Sequence, residues 1–73
     1  MIIYTHARIL FIHSTEIIRM GRIRIADTSG NIVGEFSMNG VDFGSFPLEI
    51  PEGKYLVLFR SEGETARKTI YIT

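Results

Sequence analysis

The sequence is 73 residues long and holds two histidines, His6 and His13, eight Asp and Glu, and no cysteine. Without cysteine there is neither a disulfide framework nor a thiolate metal site. The histidines stand seven apart. On one strand an odd separation puts them on opposite faces, where they cannot share a metal. Glu16 adds no recognisable ligand spacing, so surface or partly covered histidines are expected. Nucleophilic catalysis lacks its frame too. No G-x-S-x-G elbow occurs, and Gly44-Ser45-Phe46 misses the second glycine. Asp27, Asp42, Glu49, Glu52, Glu62 and Glu64 fall mostly in turn-like stretches. A carboxylate pair for glycoside hydrolysis needs a cleft between its members, and a thin domain of this size leaves little room for one. Asp27-Thr28-Ser29-Gly30-Asn31 has a faint likeness to a calcium loop but lacks the alternating acids and closing Glu. It reads as a plain turn. There is no glycine-rich phosphate loop. The expectation is a non-enzymatic chain with no catalytic residues, no metal ligands and no cofactor.

Basic residues are the other candidates. Arg22 and Arg24 project from one strand face and would join Arg60, Arg67 or Lys68 in a basic patch. With Tyr55 and Tyr71 beside it, such a patch would suit a single-stranded nucleic acid. Eight Lys plus Arg balance eight Asp plus Glu, which argues against a nucleic-acid partner. Charge is segregated, however. Residues 1–24 are net +3, residues 25–64 net −5 and residues 65–73 net +2. Either this is a solvated surface, or basic terminal strands dock on an acidic surface within the chain or on a partner.

The elements that must position these groups are strands. Twelve Ile, three Val and six Thr stand against three Ala and four Leu, and eight residues are aromatic. β-Branched and aromatic side chains suit a pleated surface. Arg22-Ile23-Arg24-Ile25 alternates strictly, with the isoleucines inward. Residues 27–31 turn the chain, with Gly30 able to take positive φ, and residues 31–37 return as the partner strand. Met38-Asn39-Gly40 is a further turn. Residues 43–50 read as an edge strand interrupted by Pro47. Pro51-Glu52-Gly53 is the strongest turn signal. Residues 54–60 are apolar on both parities and read as a central strand covered on both faces. Residues 65–72 form the last strand, with Ile70 and Ile72 on one side and Thr69 and Tyr71 on the other. Residues 1–20 are less regular. A helical reading would put His6 and His13 on the apolar stripe of Ile3, Leu10 and Ile17. The Ile and Thr content favours one long strand, or two short ones with Ser14–Glu16 as the turn. The sum is one all-β domain over residues 1–73, a small antiparallel immunoglobulin-like sandwich of six or seven strands.

The order of these pieces carries a resemblance. Ile23-Arg24-Ile25-Ala26-Asp27-Thr28-Ser29-Gly30-Asn31-Ile32-Val33 is followed by a polar hairpin. Then comes Phe46-Pro47-Leu48-Glu49-Ile50-Pro51-Glu52-Gly53-Lys54-Tyr55-Leu56-Val57, and Gly63, Arg67-Lys68 and an Ile-Tyr-Ile strand close the chain. Residues 20–73 thus resemble the C-terminal sorting domain of proteins exported by the type IX secretion system of Bacteroidetes. They are also similar to small secreted immunoglobulin-like domains of those bacteria. The resemblance implies a non-catalytic module for export and cell-surface attachment. It implies recognition by a protein partner, the secretion machinery or a neighbouring domain, through Gly30, Gly53, Tyr55, Arg67 and Lys68.

No unbroken apolar run is long enough for a spanning helix, and His6, Arg8 and His13 interrupt the start where a signal peptide would need one. The resemblance implies a secreted or surface location as part of a longer protein; the chain alone would stay in the cytoplasm. Two other readings stand beside the sorting module. One is an adhesin- or pilin-like structural unit that pairs edge strands with a neighbour. The other is a cytoplasmic homodimer formed through the N-terminal segment, with Ile9 and Phe11 in the contact. A chain this short has little core of its own, which favours association.

Overall fold

The computed structural model describes residues 1–73, in seven strands and no helix. The strands are β1 (Ile2–His6), β2 (Ile9–Ile18), β3 (Gly21–Ala26), β4 (Ile32–Met38), β5 (Val41–Pro47), β6 (Gly53–Arg60) and β7 (Thr65–Ile72). They form two antiparallel sheets, one ordered β1-β2-β5 and the other β4-β3-β6-β7. Hairpins join β1 to β2, β3 to β4 and β6 to β7, and the three remaining connections cross between sheets. Each strand alternates, so one face of each sheet turns inward. Leu10, Ile12, Ile23, Ile25 and Val57 meet at the centre with no exposed surface. Around them lie Ile3, Ile18, Met38, Leu48, Tyr55, Phe59, Ile70 and Ile72. No polar or charged residue is buried.

This is an immunoglobulin-like sandwich, and one side chain ties it down at a characteristic place. Tyr55, near the start of β6, donates its hydroxyl to the Pro51 carbonyl at 2.7 Å. That is the tyrosine corner of such sandwiches, where the strand after the fifth begins. Two residues on, Val57 fills a central position that antibody domains give to a cysteine. The fourth strand sits beside β3 in the four-stranded sheet, rather than on the first sheet as in constant-type domains.

Several expectations from the sequence change in detail. Residues 1–20 are two strands, but the reversal is at Ala7-Arg8. Both residues have positive φ, 51° and 63°, as a two-residue hairpin with right-handed strand twist requires. Ser14–Glu16 lies inside β2. There the pairing with β5 slips between His13 and Ile18, and the Ser14 hydroxyl accepts from the Glu16 amide at 3.2 Å. Those residues form a bulge, not a turn. The edge strand near Pro47 runs from Val41 to Pro47, and Leu48 and Ile50 leave it to bury in the core. No backbone hydrogen bond closes the Pro51–Gly53 segment; the Tyr55 hydroxyl does. β6 is central, as expected, but its outward Leu56 and Leu58 are only half-covered.

Connections at each end are stitched together. Arg8 binds the β5–β6 connection twice: its carbonyl accepts from Leu48 N at 2.9 Å, and its guanidinium donates to the Ile50 carbonyl. At the other end Met20 N donates to Asn39 Oδ1 at 3.1 Å, Gly40 N to the Ile18 carbonyl at 2.8 Å and Glu62 N to the Arg19 carbonyl at 3.4 Å. Gly21 opens β3 there, and a Cβ on it would stand 2.6 Å from Ile18 Cγ2 and 3.0 Å from the Met38 carbonyl oxygen. The backbone oxygen has nowhere to go. Gly21→Ala is therefore expected to cost about 1–3 kcal/mol in urea unfolding. Gly63→Ala, with nothing within 4 Å of the added carbon, serves as the neutral control.

Candidate functional site

The interior holds hydrocarbon, so any recognition falls on the outer faces. On the three-stranded sheet the outward residues form a grid set by strand register. Ile2, His13 and Phe43 make one row across β1, β2 and β5. Tyr4, Phe11 and Ser45 make the next, and His6, Ile9 and Pro47 the third. None of the nine is Asp, Glu, Lys or Arg. Tyr4 stacks on Phe11 at 5.1 Å between ring centroids. Phe43 follows at 6.1 Å from Phe11, and His13 meets its edge at 5.5 Å. Ile2 is 60% exposed, and Tyr4 and Phe43 are each 45% exposed. Ile9 and Phe11 lie within this face, half-covered by their neighbours. Water thus meets a continuous apolar and aromatic surface, the kind that marks an interaction site.

The two histidines do not lie on opposite faces. They share this outer face, because the hairpin at Ala7-Arg8 reverses the chain between them. His6 opposes Ile9 and His13 opposes Ile2. Four rungs still separate them, about 13 Å along the ribbon. No three His, Asp or Glu side chains stand close enough to hold a metal ion.

The outer face of the four-stranded sheet is basic at one end. Arg22 on β3 is paired across to Arg60 on β6. Arg24 is paired to Leu58, which is paired in turn to Arg67 on β7. These four arginines line one shallow, open depression of about 750 Å³, together with Leu58 and Thr65. Tyr55 points the other way, into the core, and Tyr71 lies four residues along β7 from Arg67. The basic residues and the tyrosines that the sequence suggested as a nucleic-acid platform are therefore not side by side.

The remaining expected recognition residues are scattered. Gly30 has φ +87° at the tip of the β3–β4 turn, and Gly53, with φ +152°, opens β6 at the same end of that sheet, away from Arg67 and Lys68 in the middle of β7. Tyr55 secures the corner. Arg67 and Lys68 are both exposed on β7, an edge strand, with Arg67 on the outward side and Lys68, opposite Val57, on the inward side. Charged residues on an edge also discourage unwanted strand pairing. Nothing local in the sequence, by contrast, marks Phe43 and Tyr4 as neighbours on one face. The register that brings them together depends on the hidden hairpin at Ala7-Arg8.

Asp27 is fully occupied in its turn. Its Oδ1 accepts from the Asn31 and Ser29 amides, each at 2.9 Å, and its backbone bonds to Asn31 and Gly30. The Asn31 amide above all, against slight desolvation, and then the Asn31 side chain and the Ser29 and Gly30 amides hold its carboxyl below the ordinary value of 3.8. A depressed folded-state pKa stabilises above the unfolded value and is lost as pH falls through the folded one. Thermal stability should therefore drop as pH is lowered below about 3.8. Asp27→Asn should be less stable at pH 7 and should lose part of that acid dependence, measured as Tm against pH. Tyr55→Phe tests the corner separately: loss of its hydrogen bond should cost about 1 kcal/mol at any pH between 5 and 8.

Comparison with known protein families, curated proteins and solved structures finds no match to this chain.

Proposed function

We propose that this domain is a non-catalytic protein-recognition module that associates with a second copy of itself through the outer face of the three-stranded sheet. The observation that carries the reading is the uncharged grid around Tyr4, Phe11 and Phe43. A symmetric dimer covers the same surface on both copies, which is least costly where that surface holds no charge to desolvate. This face has none, while sixteen charged residues occupy the rest of the chain. Association would also supplement a core limited by chain length.

Light scattering at increasing concentration tests this. The wild type should form a dimer, and Phe43→Lys or Tyr4→Lys should raise the dimer dissociation constant at least about tenfold without lowering monomer Tm. Both side chains are already half in water, so folding tolerates the change. A wild type that stays monomeric up to about 1 mM overturns the reading.

A sorting role for export and surface attachment is a second reading, favoured by the exposure of Arg67 and Lys68 on the free strand β7. Fused behind a reporter that carries an export signal, the domain should bring it to the cell surface. The Arg67→Glu, Lys68→Glu double variant should leave it unattached.

A further inference from the structure

Arg22 and Arg60 occupy directly opposed positions on neighbouring strands, and like charges so placed destabilise a sheet. Arg24 and Arg67 flank the same spot through Leu58. Within a patch of about 7 by 10 Å, four guanidinium groups line one depression. Their compensation is slight. Arg24 reaches Glu35 at 3.9 Å, with both side chains about half exposed. Glu62 stands at the rim of the depression. Arg22, Arg60 and Arg67 form no ion pair and no side-chain hydrogen bond within the chain. Nothing in the fold requires arginine here, since any polar residue satisfies an outward strand position.

We propose that Arg22, Arg24, Arg60 and Arg67 form a binding site for a compact ligand carrying several phosphate or sulfate groups. The planar guanidinium fork matches the oxygen geometry of both groups, often with two parallel hydrogen bonds. Arginines on adjacent strands and on alternate positions are spaced to meet neighbouring anionic groups on a sugar-sized ring. The bound ligand would also relieve the Arg22–Arg60 repulsion, so binding and stability are linked. A nucleic-acid strand fits less well. Its bases need aromatic faces beside the phosphate track, and Tyr55 is buried while Tyr71 lies about 13 Å from Arg67. Thr65 adds a hydroxyl donor at the edge, and Leu58 provides an apolar floor for a ring face.

Calorimetric titration of the full chain with inositol hexakisphosphate, with a heparin hexasaccharide and with an eight-residue oligothymidylate tests the site. Saturable binding of either of the first two is expected, weakening at least about tenfold between 50 and 200 mM salt. Whichever binds tighter separates a phosphate-bearing from a sulfate-bearing source. The Arg22→Gln, Arg60→Gln double variant should bind at least about tenfold more weakly while its Tm, without ligand, rises by about 2–4 °C. Lys54→Gln, on the same face at the far end of the sheet, should leave affinity nearly unchanged. The proposal is overturned if neither polyanion binds below about 1 mM. It is also overturned if the double variant binds like the wild type, or if the oligothymidylate binds as tightly as the polyanions.

Discussion

Everything in this domain follows from closing two thin sheets on an uncharged interior whose centre is branched aliphatic side chains alone. Leu10, Ile12, Ile23, Ile25 and Val57 meet with no exposed surface and with no polar group among them. The chain has no cysteine for a disulfide that would limit the unfolded state, and no polar or charged side chain is buried in the interior. The strands must therefore keep strict alternation wherever the sheets face each other, because a slip by one residue would turn an isoleucine outward. Hydrogen bonds finish what packing begins. Tyr55 closes the corner on Pro51, and Arg8 ties the first hairpin to the Leu48–Ile50 segment.

Strict alternation has a second effect. When every inward position is taken by the core, chemical variety can only appear outside. Nine outward positions of β1, β2 and β5 hold no charge, while those near the end of β3, β6 and β7 hold four arginines. The two surfaces stand back to back across the 15 Å thickness of the molecule. Each contrasts with the ordinary mixed surface of a small protein.

The strands from Arg22 onward were legible because their signals are local. Arg22-Ile23-Arg24-Ile25 displays its period within four residues, and Asp27 to Asn31 carries its own turn bonds. Ile70 and Ile72 share one side as their alternation implied, and burial shows that side to be the inner one. The first twenty residues resisted for a physical reason. Ala7 and Arg8 take a conformation usually left to Asn and Gly, so nothing in their types marks the reversal. That hairpin sets which face His6, Ile9, Phe11 and His13 occupy. The bulge at residues 14–17 then breaks the alternation of β2 and imitates a turn. Tyr55 was visible as the start of a strand. Its hydroxyl partner four residues back could have been foreseen from the P-x-G-x-Y spacing.

The aromatic grid and the arginine cluster share one energetic character. Each carries a cost in the isolated chain, which the Tyr4–Phe11 stack offsets only in part for the first. Exposed Ile2, Tyr4 and Phe43 order water around apolar surface, and the Arg22–Arg60 pair repels across the strands. A domain of 73 residues has little stability to give away, and a lysine–glutamate surface would be available at every one of these positions without disturbing the core. An uncharged apolar surface would complement the first, and clustered oxyanions would complement the second. Because the two lie on opposite sides of the sandwich, covering one leaves the other open. The geometry thus sets an uncharged aromatic surface on one side of a single small module and clustered arginines on the other.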